Sequence, residues 1–365
     1  MATVIDLSSL TINPEEARAV SEIIAPLIYS DEAAFQKKHR LVSGIVGKTQ
    51  IVLDSGNSNS GWVDSGCTPP ASGGMDLAFT QLYWDLVTIG DEVTHCQKEV
   101  DQNFKMLVKK FARDHSDISS SNEVLNYIIS RLLTFISEAR ERSAYLGDTD
   151  ATQDTAGGYI KTGVDTRFYT AVDGYWKQFF TYVAAGTTPR YTIAANATAT
   201  KTLQLTLGST AGYDALKGMW DNADDHLKSD PTSYFELTPA LFWNYSTYLS
   251  TVPATNGGFT NVIIDGVAKM AFMGKPVYES GFIGAKILSD FQILDTGYTP
   301  SVATYNLPNR GIFTTPENTP VATLSEDDIK NIESFFYQKD RTNIMRYAFD
   351  IDVKVLRPAM ASVAY

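Results

Sequence analysis

The chain reads as a mixed α+β protein on three observations: one long amphipathic helix, a strand–loop–strand unit ahead of it, and an alternating strand near the C-terminus. The helix is the strongest. Ser120 and Glu123 form a capping box, and Val124, Leu125, Ile128, Ile129, Leu132, Leu133 and Ile136 make a continuous stripe. Arg140 and Arg142 are placed in the last turn, and Gly147 terminates it. The strand–loop–strand unit starts around Gln50, Ile51, Val52 and Leu53. It crosses residues 55–74, with five Gly, five Ser, two Pro and no Lys or Arg, and returns through 76–89 (DLAFTQLYWDLVTI). A long loop between β-rich runs is a protruding hairpin. At the C-terminus Phe349, Ile351, Val353 and Val355 alternate with Asp350, Asp352 and Lys354, as in a half-buried strand.

The remaining elements follow in order. Asn13, Pro14 and Glu16 open a short N-terminal helix with Ala17, Val20, Ile23, Ile24 and Leu27 inward. Residues 93–113 have helical spacing at Val100, Phe104, Leu107, Val108 and Phe111. Residues 181–212 hold nine Thr and no acid, and the alternation of Leu203, Leu205 and Leu207 predicts a two-faced strand. A helix over 213–228 buries Leu216, Met219, Trp220, Ala223 and Leu227. Thr238 and Pro239 open another. Residues 262–279 read as two short strands with turns at Asp265-Gly266 and Gly274-Lys275-Pro276. Ser325 and Asp328 open a last helix through Ile329, Ile332, Phe335 and Phe336.

Composition bounds the function. With 365 residues the chain makes about two folding units and needs no disulfide or metal staple. Hydrophobic residues are 44% and charged residues 20%, a globular balance. Lys+Arg is 30 against Asp+Glu 42, a net charge of −12, which disfavours a dedicated nucleic-acid reader. Two cysteines, Cys67 and Cys96, fit a reducing compartment. No membrane span or signal peptide is expected, so no membrane partner is.

No motif carries chemistry. Residues 44–49 (GIVGKT) end like a phosphate loop, but the required earlier Gly is Val42. His95 and Cys96 are adjacent, and His39, His115 and His226 lie apart, so no metal set forms from local spacing. Residues 208–212 (GSTAG) place Thr where a nucleophile elbow needs Ser. The acid pairs Asp91-Glu92, Asp224-Asp225 and Asp327-Asp328 read as solvated or helix-opening residues. The basic clusters at residues 37–40 and at Lys109, Lys110 and Arg113 read as partners for acids in this chain or a neighbouring copy. No catalytic, cofactor or metal residues are assigned.

The order of segments resembles the major capsid proteins of tailed bacteriophages, the Hong Kong 97-like capsid fold. The pieces that carry it are residues 138–148 (EARERSAYLGD), 265–277 (DGVAKMAFMGKPV), 308–318 (PNRGIFTTPEN) and 345–355 (MRYAFDIDVKV). In these places the chain is similar to capsid proteins of Bacteroidetes-infecting, crAss-like phages. The resemblance implies an N-terminal arm at 1–35 and an extended loop at 40–90 lying over a neighbouring subunit. It implies a peripheral domain from 91–165 with 280–365, and an axial domain at 166–279. It implies self-assembly into pentamers and hexamers of an icosahedral head around double-stranded DNA, without enzymatic chemistry or a cofactor. Lys48, Gln50, Val52, Trp62, Phe79, Tyr83 and Trp84 are the candidate inter-subunit contacts. The implied partners are further copies of the chain, portal and scaffold proteins, a decoration protein, and DNA held without sequence-specific contact. Some relatives cross-link through a Lys–Asn bond; Lys48 lies in the hairpin, but no partner residue is assigned. A spine helix starting near residue 120 points to a separate scaffold protein or none. The alternatives are an encapsulin-like compartment, a tail or other virion component, and a carboxylate-dependent cytoplasmic enzyme.

Overall fold

The computed structural model describes residues 32–54, 57–58, 75–76, 79–96, 121–251, 261–264, 267–292, 303–325, 332–337 and 342–365. The helices expected at 13–27 and across 97–113 fall outside them, as does Trp62. The chain is a mixture of helices and sheets, organised around two sheets, one long helix and a two-stranded ribbon.

The long helix, Ser121–Leu146, matches the expected spine. Its 26 residues make a rod of about 39 Å at 1.5 Å per residue. Its end has a different cause from the one expected. Gly147 stops the helix because another stretch of backbone crosses there: a Cβ on Gly147 would lie 2.2 Å from the Val172 carbonyl oxygen. Nor do Arg140 and Arg142 occupy the last turn. Both guanidiniums pack on rings, Arg140 over Phe35 at 4.5 Å and Arg142 over Phe168 at 4.8 Å.

One sheet surrounds the strand Thr342–Val353 (β15), longer than the alternation over 347–356 suggests. It pairs antiparallel with Val87–Cys96 (β6) from Val87↔Ile351 to Cys96↔Thr342. On its other side lie Ile332–Tyr337 (β14) and Val321–Ala322 (β13), and β13 takes Leu41–Val42 (β1) as a parallel partner. Two expectations are corrected here. Residues 93–96 are strand, not the start of a helix. Residues 332–337 are strand too: the 3–4 spacing of Ile332, Phe335 and Phe336 is overridden by the ladder with β15, which suits aromatic residues.

The other sheet has seven strands. Its order is Arg190–Tyr191 (β7), Ser362–Ala364 (β16), Gly311–Thr314 (β12), Tyr234–Leu237 (β8), Lys275–Glu279 (β11), Val267–Phe272 (β10) and Asn261–Ile264 (β9). The 262–279 stretch therefore makes three strands. The tight β10–β11 turn uses Met273 and Gly274, both at positive φ. β8 and β12 are buried at every position, and Phe235 stacks on Phe313 at 4.1 Å. Helix Ala211–Asn222 covers this sheet with Leu216 and Met219 inward, as its spacing predicts. It breaks at Ala223, and Asp224 caps a new short helix, Asp225–Ser229. Helix Pro239–Thr251 crosses close by: a Cβ on Gly212 would meet the Leu241 carbonyl at 2.5 Å.

The Thr-rich stretch is a further correction. It contains the end of helix Tyr175–Ala184, a 3-10 turn at Ala194–Ala197 and a short helix, Lys201–Leu205. The alternation at 203–207 is real but inverted: Leu203 and Leu205 face solvent, while Gln204 is 2% exposed. Gln204 reaches inward to Gln292 and to the carbonyls of Asn196 and Thr198. Thr200 caps the helix from its side chain, the competing role Thr takes near helix starts.

Candidate assembly surface

Thr49–Asp54 (β2) pairs with Phe79–Trp84 (β5), from Thr49↔Trp84 to Asp54↔Phe79. Asn57–Ser58 (β3) pairs with Met75–Asp76 (β4) as Asn57↔Asp76 and Ser58↔Met75. The register is the same across both pairs, so the described strands 49–54/79–84 and 57–58/75–76 share one alignment. The six residues of each longer strand span roughly 20 Å at about 3.4 Å per residue. Among the described residues neither strand has a third partner. An isolated two-stranded ribbon is marginal in water.

Alternation divides the ribbon into two faces. Thr49, Ile51 and Leu53 share one with Trp84, Leu82 and Thr80, and that face is partly covered near the root. Gln50 and Val52 share the other with Tyr83 and Gln81, and all four are exposed, Val52 by 56% and Tyr83 by 42%. Lys48 sits over the Tyr83 ring at 5.4 Å. The structure therefore brings Lys48, Gln50, Val52 and Tyr83 onto one exposed face. Phe79 is placed at the ribbon position opposite Asp54. Trp84 is different: it is 4% exposed and packs with Ile45 and Ala322, so its ring belongs to the chain's own core and is not offered to a neighbour. Val46 and Leu324 add exposed apolar surface at the root, where the Gly44 N–H donates to the Leu324 carbonyl.

Residues 37–40 pair with acids of this chain, as their sequence reading expects, and form an anchor. Lys38 donates to the Glu236 carboxylate at 2.6 Å with both side chains buried. Tyr145 of the spine donates to the other Glu236 oxygen at 2.6 Å, and His39 Nε2 lies 2.7 Å from the Tyr145 hydroxyl. His39 Nδ1 lies 3.1 Å from the Thr319 hydroxyl and 2.9 Å from its carbonyl, which accepts from Tyr175. Burial drives the His39 pKa down to about 3, with the neighbouring Lys38 charge adding to it. Burial opposes ionisation of Glu236, but the Lys38 ammonium, together with the hydrogen bonds from Lys38 and Tyr145, holds the carboxyl below its ordinary range. The Lys38 pKa is raised in turn: burial works against the charge, and the charge and hydrogen bond of Glu236 with the nearby Glu141 charge together overcome it. Arg40 pairs with Glu317 at the surface. Sequence spacing could not reveal this set, because its members come from residues 38, 39, 145, 236 and 319.

Residues 44–48 carry left-handed Gly44 and Gly47 and lead into a strand, the wrong context for a phosphate loop, which needs a following helix. His95 and Cys96 are successive residues of β6, opposite Asn343 and Thr342. Among the described residues no group of three His, Cys, Asp or Glu side chains is placed to hold a metal, and no helix is long and apolar enough to cross a membrane. An open depression near residues 151–166 includes one carboxylate, Asp165, which is engaged by Arg167.

No family model matches the chain. Among solved structures, the chain is similar to the capsid of Myoviridae phage XM1 at 10% identity, covering 98% of this chain and 99% of that one, with a TM-score of 0.49. It is similar to a Mycobacterium phage Ogopogo chain at 11% identity, 92% of each chain and a TM-score of 0.49. The capsid of an empty GTA particle matches at 11% identity, 97% of this chain and 99% of that one, with a TM-score of 0.48.

Proposed function

We propose that this chain is a shell-forming subunit, the major capsid protein of a tailed phage with a Hong Kong 97-like fold. The observation that carries the reading is the ribbon described at 49–54/79–84 and 57–58/75–76: one shared register, no third strand among the described residues, and an exposed face bearing Val52 and Tyr83. Such a ribbon leaves apolar and backbone groups uncovered when solitary, and a second copy is the partner always present at matching concentration.

In this reading the spine helix and the β6–β15–β14 sheet form the peripheral part, from 91–165 and 280–365. Residues 166–279 form the axial part. The seven-stranded sheet joins the two, since it takes β12 and β16 from the C-terminal stretch. Heterologous contacts close into pentamers and hexamers, and double-stranded DNA lies inside a shell whose subunits, each with a net charge of −12, do not bind it tightly. Portal, scaffold and decoration proteins are the further partners, and the chain performs no catalysis. The test is negative-stain microscopy of the expressed full chain across a concentration series. Shells, capsomers or sheets are expected; monomers and small oligomers at every concentration overturn the reading.

A further inference from the structure

The ribbon leaves the body on two unlike legs. One leg, residues 43–48, contains Gly44 at φ 81° and Gly47 at φ 70°, each with open space where a side chain would go. The other leg is two residues long. At Asp85 and Leu86 the chain ends its pairing with β2 and begins, at Val87, its pairing with β15. That short leg is gripped from the body. The Asp85 N–H donates to Asp352 Oδ2 at 2.9 Å, and Asp352 itself is 1% exposed. The other Asp352 oxygen accepts from the Val353 N–H at 2.8 Å, and Lys354 lies 3.2 Å from Oδ2. Immediately before the grip, Trp84 is packed with Ile45 and Ala322, while Val42, Ile51 and Leu86 lean on the same cluster.

We infer that Asp352 is a positioning residue that sets the angle at which the ribbon leaves the body, with Trp84 as pivot and the Gly44/Gly47 leg as the compliant side. A buried carboxylate accepting a backbone N–H makes a charge-assisted bond of fixed direction. It is aimed at the first of the two amides between the ladders, where no strand partner fixes the chain. On the opposite leg the left-handed glycines bring no side chain, and its hold comes from Ile45 in the Trp84 pivot and from the Gly44 N–H on the Leu324 carbonyl, both at the root. Beyond that pivot, the direct polar hold on the ribbon's exit lies on the 85–86 side. The inference rests on the shell reading for its purpose, since aiming the ribbon at a neighbour matters only in an assembly; the geometry itself belongs to the single chain.

The test uses the full chain carrying Cys67→Ser and Cys96→Ser, spin-labelled at Gln81 on the ribbon and Thr247 on the body, with hydrogen exchange measured in parallel. The unsubstituted Asp352 chain should give a narrow distance distribution. Asp352→Ala should at least double its width and speed exchange at the Asp85 amide at least ten-fold, while the β6–β15 amides between Thr94 and Ile344 stay slow. Asp352→Asn, which keeps an acceptor oxygen, should restore most of both. An unchanged distribution in Asp352→Ala overturns the inference, and so does slowed exchange spread equally through β6 and β15. Should Asp352→Ala not fold, the parent chain decides: fast exchange at Asp85 overturns the grip, and exchange as slow as the flanking ladders supports it. Failure of the parent chain to assemble counts against the shell reading alone, because the distance and exchange readings need no assembly.

Discussion

Lys38 and Glu236 show how much one buried pair controls. Neither ion has access to water, so removing one leaves the other uncompensated. Lys38→Ala should cost about 3–5 kcal/mol, and the double change Lys38→Met with Glu236→Leu should recover most of it. Urea denaturation of the three chains checks this; a loss under about 1 kcal/mol in the single variant would show that the pair is unimportant. His39 adds a pH dependence with a definite sign. Its folded pKa of about 3 lies below the unfolded value of 6.5, so the unfolded chain binds the proton first. The contribution is complete above pH 6.5 and is lost as pH falls toward 3. Between pH 8 and pH 5 the loss is about 2 kcal/mol, at about 1.4 kcal/mol per pKa unit. Glu236, with a lowered pKa, acts in the same direction at lower pH. A His39→Gln chain should show a smaller acid destabilisation between pH 8 and 5 than its parent; equal losses refute the assignment.

At the scale of elements, the termination of the spine is the sharpest case. The backbone near Val172 lies where a Gly147 side chain would be, and Gly174 N–H donates to the Gly147 carbonyl. Gly147→Ala should destabilise by about 1–3 kcal/mol through overpacking, or prevent folding. Thermal unfolding of that variant decides it, since a helix-propensity effect alone would make alanine stabilising. The short helix Lys201–Leu205 gives a milder test. Thr200→Ala removes its side-chain cap and should cost about 1 kcal/mol, with Thr200→Ser close to the parent.

For the whole molecule, the body and the ribbon separate stability from assembly. Two large clusters hold the body. One is built on the spine, helix Tyr175–Ala184 and β15; the other is built on the seven-stranded sheet and its two covering helices. Among the described residues the ribbon belongs to neither, and its root packs in a third, small cluster with Ile45 and Ala322. Deleting residues 55–74 should therefore leave the unfolding midpoint of the body nearly unchanged and abolish or weaken assembly seen by microscopy. Loss of folding in the deletion would contradict the protruding-ribbon assignment. Val52→Asp and Tyr83→Ser, on the exposed face, should act likewise, with the double variant sedimenting as unassembled subunits.

The sequence by itself determined the elements whose signals are local. The spine helix, the helices opened by Thr238 and covering Leu216 and Met219, the ribbon strands and the C-terminal strand all follow from periodicity and turn residues within a single stretch. It also excluded local catalytic motifs, because those require fixed spacings. Tertiary structure decided the rest, wherever neighbours distant in the chain compete with local preference. Residues 332–337 became a strand because β15 lies beside them, and Gln204 turned inward because Asn196, Asn309 and Gln292 meet it. Residues 37–40 became a buried anchor because Glu236 and Tyr145 arrive from other elements. Trp84 entered the core because Ile45 and Ala322 meet it there. A buried polar group is stable only with its partners in place, and partners drawn from four separate segments leave no pattern in any one of them.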